Sequence, residues 1–327
     1  MKYIDLHADT ILHILQQGES SSLYDNPNTH LDIHRLIKGN AIAQSFAVWL
    51  PNEKFDQLDV KKEFSPSTPA EDLIYIDQAV SRLKHEIEKN SDHIAWAQNS
   101  KDIRKNEAAG KISAILTLED ARAVDYSLER IEKFHQQGFQ MIGLIWNEEN
   151  CFGFPNHSKP QINTKGLKPF GIEGVQYMDE LGITVDVSHL NDGGIADVLK
   201  HSKNPVVASH SNARKIAQHP RNLADKHIRA ISESGGVVGI CIAPNFLRTN
   251  DPSSTIDDMV RHLEHIYQIG GEDVLAIGTD FDGTSGEIEL DSPDKMPRLF
   301  EALDRQGWPI NRIEKLAYQN ALRIFDK

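Results

Sequence analysis

The run Tyr3-Ile4-Asp5-Leu6-His7-Ala8-Asp9 places an imidazole and a carboxylate two positions apart at the end of a short apolar stretch. In an extended chain, residues i and i+2 point to the same side, so His7 and Asp9 can grip one ion together. An isolated H-x-D is common and usually marks a polar strand end. Here four further apolar runs finish in a similar way. Leu116-Thr117-Leu118 meets Glu119, Val185-Asp186-Val187-Ser188 meets His189, Val207-Ala208-Ser209 meets His210, and Ala276-Ile277-Gly278-Thr279 meets Asp280. A single polar residue after a strand is most often a helix cap or turn former. Independent caps would favour Ser, Thr, Asn and Asp, not three His and a Glu at these points.

His7, Asp9, Glu119, His189 and His210 form a nitrogen and oxygen donor set suited to Zn2+ and large enough for two ions. Glu119 is the natural bridge, because each of its oxygens can take one metal. Two ions about 3.5–4 Å apart generate hydroxide near neutral pH and polarise a carbonyl. Asp280 then remains as the acid/base that passes a proton to a leaving group. Other chemistries find no support. Gly193-Gly194 and Gly235-Gly236 match no phosphate-loop fingerprint, and there is no G-x-S-x-G elbow. His262-Leu263-Glu264-His265 lacks the H-E-x-x-H spacing and reads as solvated helix surface, as do His85, His93, His135 and His201.

Positioning these residues requires strands that end at one place. Eight short apolar runs are candidates: Tyr3–Leu6, Ala41–Trp49, Ile112–Leu118, Met141–Ile145, Ile183–Val187, Pro205–Ser209, Val237–Ile242 and Val274–Ile277. Each is apolar on both faces, as parallel strands covered by helices are. Helical periodicity falls between and after them, at Ala70–Asn90, Ser127–Gln137, Ile172–Leu181, Gly194–His201, Lys226–Ser234, Ile256–Ile269 and Ile310–Phe325. Gly138, Gly182, Gly235 and Gly270 stand where left-handed caps are wanted. Asn52–Pro69, polar and proline-containing, reads as a long loop over one end. Eight alternations predict a (β/α)8 TIM barrel, a single domain over residues 1–327. A doubly wound sheet has a similar pattern, and polar strand ends that converge on one mouth favour the barrel.

Composition narrows the partners. A net charge of −13 argues against nucleic acid or an anionic membrane surface. Cys151 and Cys241 are the only cysteines, too few for a disulfide framework or a cysteine zinc site. Charged residues interrupt the amino-terminal apolar stretch, so no signal peptide is expected. No run of about 18 apolar residues predicts a membrane span. The expectation is a soluble, cytoplasmic protein.

The chain resembles the membrane (renal) dipeptidase family, within the metal-dependent amidohydrolase barrels. The resemblance covers nearly the whole length. It rests on Asp5-Leu6-His7-Ala8-Asp9, Leu118-Glu119, Asp186-Val187-Ser188-His189, Ser209-His210-Ser211-Asn212-Ala213, His219-Pro220-Arg221-Asn222-Leu223 and Gly278-Thr279-Asp280-Phe281-Asp282-Gly283. It implies that His7 and Asp9 hold one zinc, His189 and His210 the other, and that Glu119 bridges them. Asp280 matches the family's catalytic Asp, and Arg221 the residue that receives the substrate's terminal carboxylate. The implied substrates are free dipeptides, with tolerance of a carboxyl-terminal D-residue. Where many members carry a His after strand four, this chain has Leu144-Ile145-Trp146-Asn147. That puts Trp146, whose indole N–H is a neutral donor, and Asn147 at the substrate. Mammalian members are secreted, disulfide-bearing and lipid-anchored, so the resemblance is to the microbial cytoplasmic type. Members often form homodimers, but no interface is legible here. The alternatives are another amidohydrolase, acting on a cyclic amide, lactone or phosphoester, or a non-catalytic metal-bound barrel. The former relatives typically open on H-x-H and use a carbamylated Lys. Here the motif is His-Ala-Asp, and no Lys directly follows strands three or four.

Overall fold

Short β-branched runs that are apolar on both faces can only be buried between a packed interior and a shell of helices. That is what the chain builds. A computed structural model describes residues 1–51, 66–249 and 251–326. Its barrel strands, one to eight in chain order, are Tyr3–Asp5, Ala41–Trp49, Ile112–Glu119, Phe139–Gly143, Thr184–Asp186, Val207–Ala208, Val237–Ile240 and Leu275–Ile277. All pair in parallel, each with its neighbours in this order. Asp5 pairs with Ile277, which closes strand eight onto strand one and excludes the open sheet.

Strand two matches its expected run, strand three extends one residue further to Glu119, strand four is shifted to Phe139–Gly143, and the other five are shorter than their apolar runs. Strand six is only Val207–Ala208, within the expected Pro205–Ser209. Its flanks turn to side chains instead, since the Val206 N–H bonds Ser234 Oγ and the Ser209 N–H bonds Asp186. A short strand not expected from the sequence, Ile94–Trp96, pairs outside the barrel with Ile112–Ala114.

The helices begin and end where local chemistry dictates. Thr68 and Glu71 form a capping box that opens Pro69–Lys89. The expected loop Asn52–Pro69 lies outside the described residues as far as residue 65. Gly138 and Gly182 take the left-handed conformation as C-caps. Gly270 does not: it stays inside the helix Ile256–Gly270, and Gly271 follows with φ 80°. A Cβ on Gly270 would crowd Val274 and Ser232, so close packing is what that glycine serves. The expected helix Ile310–Phe325 contains a wider π turn at Lys315–Gln319. Asn320, buried just after it, donates to the carbonyls of Glu272 and Leu275 at the entry to strand eight. Above the mouth, Ser253–Ser254 pairs with Glu287–Ile288 and ties the loops after strands seven and eight together.

Candidate active site

Strands one and eight are joined by a carboxylate. Asp5, fully buried, accepts the Thr279 N–H at 2.9 Å, the Thr279 hydroxyl at 2.6 Å and the His7 N–H at 3.3 Å. The Asp280 N–H then bonds the His7 carbonyl at 3.1 Å, which sets His7 and Asp280 side by side. Asp9 occupies the N-cap position of the helix Thr10–Gln16 but makes no capping hydrogen bond. Instead its Oδ2 lies 3.6 Å from His7 Nε2, and its Oδ1 is buried without a partner. Gly283 makes this possible, because a Cβ there would overlap both Asp9 Oδ2 and Asp280 Oδ1.

Strands five and six are joined in the same way. Asp186 accepts the backbone N–H of Ser188 and of Ser209, each at 2.9 Å, and the Ser209 hydroxyl. With its own proton on Asp186, Ser209 Oγ accepts from His210 Nδ1 at 2.8 Å. His210 Nε2 is thereby left as the bare nitrogen, facing the cluster. His189 is held by Asn147, whose Oδ1 lies 3.2 Å from Nδ1.

All six residues singled out for metal or acid/base chemistry meet at the carboxyl mouth. His7 Nε2 is 3.4 Å from Glu119 Oε2 and 3.9 Å from Asp280 Oδ1. His189 Nε2 and His210 Nε2 lie 3.1 and 3.4 Å from Glu119 Oε1, and 3.1 Å from each other. Glu119 therefore shows one oxygen to His7 and the other to the His189–His210 pair. Among the described residues three sets of side chains are close enough to hold an ion: Glu119, His189 and His210; His7, Asp9 and Asp280; and His7, Asp186 and His210.

The field inside the cluster is strong. Burial works against charge on His7, yet Glu119 and Asp9 hold its imidazole well above the usual histidine range. Burial would raise Glu119, but the adjacent His7 and the close imidazoles of His189 and His210 hold it well below the carboxylate range. Burial pushes Asp280 well up, opposed by His7 and reinforced by Asp9 and Glu119. Burial and the Arg221 charge press His189 down to about 4. His189, Asp280 and Asp282 also take left-handed backbone conformations, with φ of 68°, 68° and 67°. Such positions persist only where the surroundings impose them.

Arg221 lies in the loop after strand six, 5% exposed. Its two terminal nitrogens donate to Ser211 Oγ and the His210 carbonyl, each at 2.7 Å, while Nε is buried and unpartnered. Among the described residues no carboxylate pairs with it. It borders a cavity of about 300 Å³ shared with Asp9, Glu119, His189 and Asp280. Trp146 and Asn147 border the same cavity.

The sequence reading missed several contributors. Asp5 and Asp186 appeared there only as motif letters. Trp49, which ends strand two in register with Glu119, lines the cavity. His262 is a correction: it is buried, not solvated. Its Nδ1 accepts the Ala213 N–H and its Nε2 donates to the Leu247 carbonyl, each at 3.0 Å, joining two loops of the mouth. Its position on the apolar stripe of the helix, with Met259, Leu263 and Ile266, was the available signal. Of the other histidines, His85 and His135 are exposed, and His93 lies in a turn and not on a helix.

Imidazoles and carboxylates gathered at the carboxyl mouth of a parallel barrel define a metal-dependent hydrolase of the (β/α)8 class. Comparison with known proteins gives the particular family. The family model for membrane dipeptidase (peptidase family M19) matches residues 1–327. An uncharacterized Klebsiella pneumoniae protein from the pqqA 5′ region is 32% identical over 267 residues, 79% of this chain and 97% of that protein. Dipeptidase tcpJ of Claviceps purpurea is 27% identical over 297 residues, 90% of this chain and 68% of that one. A metallopeptidase from Rhodobacter sphaeroides, solved with a phosphinate mimic of the dipeptide L-Ala-D-Ala, superposes with a TM-score of 0.90 at 26% identity, covering 99% and 98% of the two chains. The chain belongs to the membrane dipeptidase family, peptidase family M19, and as a member it is a metallo-dipeptidase. Among its described residues no helix is long and apolar enough to cross a membrane.

Proposed function

We propose that this chain binds two Zn2+ ions with Glu119 between them and hydrolyses free dipeptides, including those with a D-residue at the carboxyl end. The observation that carries the reading is Arg221, a buried guanidinium bordering the cavity without a carboxylate partner among the described residues. A buried cation calls for an anion. The terminal carboxylate of a short peptide matches its planar fork and fixes the peptide's register.

The donor set fits the metal. His7 Nε2 and Asp9 Oδ1 are buried without hydrogen-bond partners, and two imidazole nitrogens converge on one carboxylate oxygen. Such an arrangement of lone pairs is stable around a cation, and three His with Asp and Glu suit zinc. His7 and Asp9 would hold one ion, His189 and His210 the other, and Glu119 both. When bound, the ions supply Lewis acidity towards the scissile carbonyl and lower the pKa of water.

The protein's own groups do the rest. Arg221 holds the carboxylate end. Asp280, whose carboxyl favours its proton, delivers that proton to the departing amine nitrogen. Ser209 and Asn147 hold the imidazoles in the ligating orientation. Tolerance of a D-residue is supported by the ligand of the Rhodobacter sphaeroides relative. Two buried, unpaired cysteines suit a reducing, cytoplasmic setting.

Metal analysis with a dipeptide panel tests the reading. The expected result is two zinc ions per chain and turnover of free dipeptides. Turnover of a lactone or phosphoester with no dipeptide cleaved overturns it.

A further inference from the structure

Closure of the barrel places strand two opposite strand six, four strands away in either direction. Arg221 stands after strand six, and Trp49 ends strand two in register with Glu119. A dipeptide whose carboxylate lies on Arg221 and whose scissile carbonyl lies over Glu119 therefore extends its first residue towards Trp49. There Trp49 meets Trp146 edge to face, with ring centroids 4.8 Å apart and planes at 65°. Both rings are buried and both line the cavity. The polar neighbours on this side are Asn147 and Asn156, and both are turned to His189: Asn147 Oδ1 to its ring, and the Asn156 side-chain amide to its carbonyl at 3.1 Å. Among the described residues, the charged side chains that line the cavity are Arg221 and those of the metal-type cluster.

We propose that Trp49 and Trp146 form the subsite for the side chain of the substrate's first residue, and that they select dipeptides beginning with a large apolar residue. The proposal rests on the dipeptidase reading above and adds its substrate class. The two indoles reward contact with hydrocarbon or another ring, and the Trp49 Nε1–H, buried without a partner among the described residues, supplies no charge to pair with a carboxylate. Trp146 also stands where many relatives carry a His, so the wall is a property of this chain's own residues.

The test is a series of X-Ala dipeptides with X as Gly, Ala, Leu, Phe, Asp or Lys, assayed with the zinc-loaded enzyme. The expected kcat/KM for Leu-Ala and Phe-Ala exceeds that for Gly-Ala and Asp-Ala by about tenfold or more. Trp146→Ala and Trp49→Ala should collapse that ratio while leaving the ratio of Ala-Leu to Ala-Gly, which reads the other residue, unchanged. A flat series in the unaltered enzyme overturns the proposal without recourse to any variant. So does a ratio that survives in the variants, or one that changes equally at both positions. If no dipeptide is cleaved at all, the dipeptidase reading falls and the subsite falls with it. Cleavage without preference removes the subsite alone.

Discussion

Asp186 grips Ser209 twice, accepting its backbone N–H at 2.9 Å and its hydroxyl. The grip fixes more than the spacing of strands five and six. It directs the Ser209 proton to the carboxylate, so that Ser209 can only accept from His210 Nδ1, and His210 Nε2 must present its lone pair to Glu119. A strand junction thus sets a tautomer.

Ser209→Ala should therefore weaken zinc binding by about 10–100-fold, read by competition with a chelating indicator. Ser209→Thr, which keeps the hydroxyl, should restore most of it. Equal affinity in the Ala variant and the unaltered protein would mean that His210 needs no such support.

Glu119 and Asp280 should separate in their effects. Glu119→Gln removes an oxygen charge shared by both halves of the cluster and should lower metal content. Asp280→Asn should retain both ions and lose turnover by at least about 100-fold. Equal metal loss in both variants would place Asp280 among the ligands.

Arg221→Met should raise KM for free dipeptides on the order of 100-fold and leave carboxyl-terminal amides little changed. Equal effects on the two substrate forms would remove Arg221 from carboxylate recognition.

His262 gives a pH signature away from the cluster. Its folded pKa is pushed by burial to about 4 from 6.5, so the fold favours the neutral ring. Between those values the unfolded chain binds a proton that the folded chain does not. The stability it contributes is full above pH 6.5 and declines as pH falls towards 4, by about 3 kcal/mol at most. His262→Leu strands the Ala213 N–H and the Leu247 carbonyl, which should cost on the order of 2 kcal/mol at neutral pH. The variant's denaturation midpoints should also fall less steeply between pH 6.5 and 4. An unchanged slope would show that His262 titrates alike in both states.

The barrel was legible because eight apolar runs alternate with helical stripes, and the mouth was legible because His, Asp and Glu stand at their ends. His262 was misread for a definite reason: charged neighbours on its helix outweighed its place on the apolar stripe, and partners 49 and 15 residues away leave no mark on local periodicity. Trp49 was passed over because a tryptophan ending an apolar strand looks like core. Only its register with Glu119 turns it towards the cavity.

By itself the sequence determined the donor types, their order and their location at strand ends, since these follow from composition and period. The tertiary structure decided which oxygen of Glu119 faces which imidazole, which nitrogen of His210 is bare, and that Arg221 is buried beside the cluster without a carboxylate partner among the described residues. Those are relations between strands, fixed by closure of the sheet and by the two buried carboxylates, Asp5 and Asp186, that fasten neighbouring strand ends. Each joins residues 274 or 23 positions apart, a separation that no local pattern encodes.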